Sequence, residues 1–210
     1  MPRVQVALLS NLGQNLLFIA VLFPSVILHE VSHGWVAERF GDTTARKAGR
    51  VTLNPLVHID PVGTVLVPAV LAFTGAPVFG WAKPVPVVPA HLHRPTRDMA
   101  LVGIAGPVTN VTLALIAGKV LLPITAGVVA DVIWYFAYVN VVLAVFNLLP
   151  VPPLDGSRLL PLALGQRGRR VWASIEPFGL LIVFALLWIP QFSVVLTVPI
   201  RALAGLVGLT

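Results

Sequence analysis

Two histidines and a glutamate stand together in the run His29-Glu30-Val31-Ser32-His33. On a helix, positions i and i+4 share a face, so both imidazoles can reach one divalent ion. Glu30, beside the first of them, is then placed to take a proton from water activated at that ion. A catalytic zinc site commonly has three protein ligands and one open position. The chain has no cysteine, so the third ligand must be His, Asp or Glu. Asp155 is the best candidate. It follows Asn147-Leu148-Leu149-Pro150-Val151-Pro152-Pro153-Leu154 and precedes Gly156. Three prolines stop a helix there, and Gly156 permits a tight turn, a geometry that can aim a carboxylate at an ion. Asp155 before Gly-Ser-Arg also reads as the N-cap of a short helix. Both readings stand on the residues alone.

The elements carrying these residues belong to an apolar chain. Of 210 residues, 57% are hydrophobic and 10% charged, and the mean hydropathy is +0.92. Soluble domains carry about 45–50% apolar and about 25% charged residues. So little polar surface excludes an ordinary water-soluble core and makes the bilayer part of the solvent. Disorder is excluded for the same reason. The net charge is +6, but the basic residues lie between apolar runs. That placement suits membrane topology and argues against a nucleic-acid partner.

A spanning helix needs about 20 apolar residues. Five stretches lack Asp, Glu, Lys and Arg at comparable length, or nearly so: 4–28, 61–82, 99–118, 132–154 and 177–200. The first runs straight into His29 and reads as a retained helix, not a cleaved signal. The second is crowded with Pro61, Gly63, Pro68, Gly75 and Pro77, which suit a re-entrant or irregular segment. The last is interrupted by Pro190 and Gln191 and fits two short helices. Arg39, Arg46, Lys47 and Arg50 follow the first stretch, Lys83, Arg94 and Arg97 precede the third, and Arg158, Arg167, Arg169 and Arg170 follow the fourth. All three loops can be cytoplasmic only if the second stretch enters and leaves by one face. The expectation is a single membrane-embedded domain, 1–210, in an all-α polytopic fold. It has about five to six transmembrane helices, a re-entrant or irregular segment, and a short extended or β element near the site. Its catalytic core covers about 10–160 and its C-terminal helices about 168–208.

HExxH in an apolar helix, followed more than a hundred residues later by Asn-x-x-Pro-x-Pro-x-Leu-Asp-Gly, resembles the site-2 protease family of intramembrane zinc metalloproteases. The segments Gly80-Trp81-Ala82-Lys83-Pro84-Val85-Pro86-Val87, Asn54-Pro55-Leu56-Val57-His58-Ile59-Asp60-Pro61 and Ala105-Gly106-Pro107-Val108-Thr109-Asn110 resemble its compact bacterial and archaeal members. The resemblance covers residues 25–160 and implies one zinc ion per chain, held by His29, His33 and Asp155, with Glu30 as general base. Asn147 matches a family asparagine near the metal and could stabilise an oxyanion. The implied partners are transmembrane protein substrates, such as membrane-tethered regulators or anti-sigma factors. The implied location is the cell membrane, crossed several times, with the site opening to the cytoplasm. The sequence lacks the PDZ or CBS domain of larger members and any clear helix before the HExxH helix.

A helical substrate hides its peptide bonds, so it must unwind before cleavage. In Lys83-Pro84-Val85-Pro86-Val87-Val88-Pro89 the missing N–H groups of Pro84 and Pro86 fall on one edge of an extended strand. The edge bearing Val85 and Val87 is then expected to be free to pair with substrate. His91 and His93 read as solvated histidines of a basic loop. His58 and Asp60 read as anchors of the re-entrant turn, or as groups orienting a metal ligand. The competing function is a metal or solute transporter using the same His/Asp cluster. Glu30 separates the two, because a transport site needs no general base.

Overall fold

The computed structural model describes residues 11–74 and 82–209. The first apolar run forms helix α1, Asn11–Arg39. It continues past the HExxH motif: Trp35, Val36 and Ala37 extend the apolar pattern for another turn and a half. The chain leaves the helix at Gly41, whose φ of 106° favours glycine. Buried Val21, Ser25, His29, His33 and Ala37 recur every four residues along α1, so the motif lies on the stripe facing the rest of the protein.

A short helix α2, Thr44–Lys47, and a 3-10 turn, Pro55–His58, follow. In the proline-rich second stretch, Asp60 caps a six-residue π-helix, Pro61–Leu66, which runs into an eight-residue helix α3, Val67–Thr74. The irregularity expected from its prolines is present. Residues 75–81, including Gly80 and Trp81, lie outside the described residues.

Helix α4, Pro95–Leu115, continues through a π-helical turn, Ile116–Leu121, and a 3-10 turn to Ile124. Helix α5 covers Gly127–Asn147, starting earlier than the sequence suggested and ending where the proline run begins. A 3-10 turn, Asp155–Leu159, leads into α6, Leu160–Ala163. Helix α7, Gln166–Ile175, joins α8, Gly179–Leu187, through a 3-10 turn. Helix α9, Pro190–Leu206, completes the chain, so the last apolar stretch does divide at Pro190. Among the described residues, four helical stretches are long and apolar enough to cross a membrane: Leu17–Arg39, Pro95–Ile124, Gly127–Asn147 and Gln166–Leu187. Helix α9 is apolar but shorter.

Helix α1 packs on α4 and α5, and α4 on α5. Small residues permit this approach. Ala114, Ala117, Ala137 and Val141 form one buried cluster with Ala204, Val207 and Leu209 of the C-terminal end. The distribution of polarity is inverted relative to a soluble protein. Ser25, His29, His33, Asn110, Asn140 and Asp155 are buried, whereas Phe18, Ile19, Leu181 and Trp188 face outward. Such a surface would be an aggregation hazard in water and is ordinary in lipid. No strand occurs among the described residues. The segment 82–88 is irregular and is fastened at points: Lys83 N–H donates to His58 O at 2.9 Å, and Val88 N–H to Asp42 Oδ2 at 2.6 Å.

Candidate metal centre

The stripe on α1 brings the two imidazoles together, with ring centroids 4.7 Å apart and planes nearly perpendicular. Asp155 reaches them from the far end of α5. The Pro152–Pro153 peptide bond in the connecting run is cis. The turn after Asp155 presses against the end of α5: a Cβ at Gly156 would run into Leu148 O and lie 2.6 Å from Leu149 O. Only glycine fits there, and it delivers Asp155 to the site. Leu154, not Asp155, occupies the N-cap position of the 3-10 turn, so the capping alternative gives way. Asp155 Oδ2 lies 3.0 Å from His29 Nε2 and 3.3 Å from His33 Nε2, with all three side chains buried.

Three features fit this cluster to a metal ion. First, the opposite ring nitrogens are engaged: His29 Nδ1 is 2.6 Å from Asn110 Oδ1, and His33 Nδ1 is 2.6 Å from Val102 O. Both oxygens accept, so each Nδ1 carries the proton and each Nε2 presents a lone pair. Second, Asp155 Oδ2 is buried without a hydrogen-bond partner, so three lone pairs converge with no proton between them, a costly arrangement unless a cation is shared. Third, the space is kept open by Gly106 on α4, where a Cβ would overlap His29 Cε1 and Nε2 and lie 2.6 Å from His33 Nε2. Tetrahedral donors about 2.0–2.1 Å from zinc stand about 3.3 Å from each other, which matches the observed separations. Two imidazole nitrogens and a carboxylate oxygen suit zinc. Among the described residues this is the one group of three such side chains able to hold a metal ion.

Glu30 is half-buried beside His29. Its Oε2 accepts the Val85 N–H at 2.8 Å. This corrects the expected free edge of the 82–88 segment: the Val85 N–H is taken by Glu30 and the Val85 side chain is buried. Val87 packs on the cluster of Ala37, Leu92 and Val102. Asn147, at the last turn of α5, donates from Nδ2 to Leu143 O at 3.0 Å. None of its described contacts is with the triad, and one N–H of the amide is left.

The discounted residues fall where structural roles would put them. His58 is fully buried and contacts Thr52 O at 3.0 Å through Nε2. Asp60 Oδ1 accepts from the backbone of Val62 and Gly63. His91 pairs with Asp42 at 3.3 Å, away from the triad. Asp42 itself was not singled out in the sequence. It is buried, and burial alone would raise its pKa. Hydrogen bonds from Thr44, the Val88 N–H and His91 outweigh that and hold its carboxyl below the usual carboxylate range. It therefore stays charged and ties the 82–88 segment to the end of α1. Sequence reasoning also left Ser25 and Asn140 without a role, read Gly106 as a small residue for close helix packing, and quoted Asn110 only within a resembling segment. The available signal was polarity: Asn110 and Asn140 lie in otherwise apolar spans.

The chain matches the model of peptidase family M50 over residues 17–126 and 123–190. It is 38% identical over 189 residues to the protein named "Putative zinc metalloprotease YwhC" of Bacillus subtilis, covering 85% of this chain and 83% of that protein. It is 34% identical over 193 residues to "Putative zinc metalloprotease Rip2" of Mycolicibacterium smegmatis, covering 88% and 71%. The protein of the same name from Mycobacterium tuberculosis is 33% identical over 190 residues, covering 88% and 71%. No solved structure matches the chain significantly. The family match extends through both halves of the metal centre, from the histidines of α1 to the aspartate beyond α5, and on that ground the chain belongs to peptidase family M50, the site-2 proteases, as a membrane zinc metalloendopeptidase.

Proposed function

We propose that this protein hydrolyses peptide bonds within or beside transmembrane segments of other membrane proteins, with His29, His33 and Asp155 holding zinc, Glu30 as general base and Asn147 as oxyanion donor. The observation that carries this reading is the meeting of two imidazole nitrogens and an otherwise unpartnered carboxylate oxygen between buried helix faces. Bound zinc supplies a Lewis acid that brings the pKa of water to about 7. The protein supplies the rest. One carboxylate oxygen of Glu30 is anchored by the Val85 N–H, which leaves Oε1 to take the proton from water and pass it to the leaving amine. The remaining N–H of Asn147 is the donor for the developing oxyanion. An unwound substrate lies along 82–88, and Val87 is the residue whose backbone remains available for pairing.

The basic residues after α1, before α4 and after α5 favour a cytoplasmic site, with α9 adding to the spans. The whole chain then acts as one membrane-embedded domain, and membrane-tethered regulators such as anti-sigma factors, cut in regulated intramembrane proteolysis, are the substrate class. A transport site is disfavoured, because the relatives are named as metalloproteases and Glu30 stands beside the metal ligands. The test is cleavage of a model transmembrane substrate by the protein in liposomes. A zinc chelator should stop cleavage and added zinc should restore it. Full cleavage by metal-free protein, or zinc uptake into the liposomes without any cleavage, would remove the reading.

A further inference from the structure

The buried polar side chains outside the triad form one continuous chain through three helices. His29 Nδ1 is 2.6 Å from Asn110 Oδ1. Asn110 Nδ2 donates to Asn140 Oδ1 at 2.8 Å. Asn140 Nδ2 donates to Ser25 Oγ and to Phe136 O, each at 2.9 Å. Ser25 Oγ donates to Val21 O at 2.8 Å. Ser25, Asn110 and Asn140 are fully buried, and none of their described hydrogen bonds is to a group of the 82–88 segment. Buried amides between membrane helices are costly unless satisfied, and each of these is.

The polarity of this chain is dictated from its far end. Phe136 O and Val21 O are backbone carbonyls and can only accept. Ser25 must therefore donate to Val21 O and accept from Asn140, so Asn140 turns its Nδ2 to Ser25 Oγ and Phe136 O, which aims its Oδ1 at Asn110. Asn110 must answer with Nδ2, which aims its own Oδ1 at His29. An oxygen there can only accept, so His29 must carry its proton on Nδ1. His33 needs no such relay, because a backbone carbonyl, Val102 O, already receives its Nδ1. The face of α4 opposite His29 offers a side-chain amide instead, which could rotate if nothing held it.

We propose that Asn110 and Asn140 are positioning residues that fix the tautomer of His29: backbone carbonyls of α1 and α5 set the orientation of both amides, and these present the Nε2 lone pair of His29 to the metal. The proposal rests on His29 being a zinc ligand and explains how one nitrogen of its ring is selected. It also joins metal affinity to the packing of α1, α4 and α5, because the relay is unbroken only while all three helices are in register.

The test uses full-length protein in detergent, with zinc affinity measured by competition against a chromophoric chelator. Asn110→Leu should weaken zinc by about 10–100-fold, the usual effect of removing a partner of a ligating histidine. Asn110→Asp keeps an acceptor for Nδ1 and should recover most of that loss, which a purely packing role would not predict. A long-range proton–nitrogen NMR spectrum of the zinc-loaded wild type needs no variant. It should show His29 protonated on Nδ1 and ligated through Nε2. His29→Ala tests the underlying assignment separately. If that variant keeps wild-type zinc affinity, the ligand assignment fails. If it loses zinc while folded Asn110→Leu binds as tightly as wild type, or the spectrum shows His29 protonated on Nε2, the positioning role alone is overturned.

Discussion

Replacing Gly106 by alanine is expected to abolish zinc binding while leaving the helices intact. The added Cβ would overlap His29 Cε1 and Nε2 and lie 2.6 Å from His33 Nε2. Neither ring can swing aside without losing a 2.6 Å hydrogen bond, to Asn110 for His29 and to Val102 for His33. The substitution therefore sets the methyl group against two ligands at once. A loss of at least about 100-fold in zinc affinity is expected, the upper end of what perturbing a ligand's support alone produces. The helix itself gains, because alanine in a helix interior is favoured over glycine by about 0.8–1.0 kcal/mol. Overpacking the two rings costs about 1–3 kcal/mol, which outweighs that gain, so metal-free Gly106→Ala should melt slightly below metal-free wild type. Gly165 is the control, since nothing lies within 4 Å of a Cβ there, and its alanine variant should bind zinc normally. Chelator competition on the purified variants gives the answer. Wild-type affinity in Gly106→Ala would mean that the metal does not occupy the space between the imidazoles and α4.

The second large effect belongs to Glu30. Glu30→Gln should lower the turnover of a model transmembrane substrate by about 10²–10⁴-fold, the range expected when a general base is removed, and should leave zinc content unchanged. Glutamine preserves the shape of the side chain, and its Oε1 can still accept the Val85 N–H that Glu30 Oε2 accepts at 2.8 Å. The segment 82–88 stays anchored, so lost turnover reports lost proton transfer and not a displaced segment. Turnover is read at saturating substrate and zinc by elemental analysis of the same preparation. A variant that cleaves at the wild-type rate would remove Glu30 from the chemistry. A variant that loses zinc would make it a structural support of the metal instead.

What the sequence revealed and what it concealed follow from the range of the interactions. His29 and His33 are four residues apart, so the helical repeat alone places them together. Asp155 is distant, but its prolines and glycine mark a place where a carboxylate leaves a helix axis, and the structure delivers it there. The length of α1 was less legible, because an HExxH run carries no stop signal and the true one, Gly41, lies eight residues on. The Asn110–Asn140 pairing spans two helices whose relative rotation no local pattern encodes. The bond from Val85 to Glu30 was invisible for a different reason. Every residue except proline has a backbone N–H, so the sequence tells which groups cannot donate but never which one a carboxylate will claim. Asp42 was hidden likewise: half of its hydrogen bonds are to backbone N–H groups, 46 residues ahead at Val88 and locally at Thr44.

The most direct measurement is zinc X-ray absorption on the purified protein and on Asp155→Ala. One zinc per chain is expected, with two imidazole nitrogens and one carboxylate oxygen at about 2.0–2.2 Å, and Asp155→Ala should lose the carboxylate and most of the metal. Zinc retained in Asp155→Ala with an unchanged spectrum would contradict the meeting of α1 and the end of α5 around one ion.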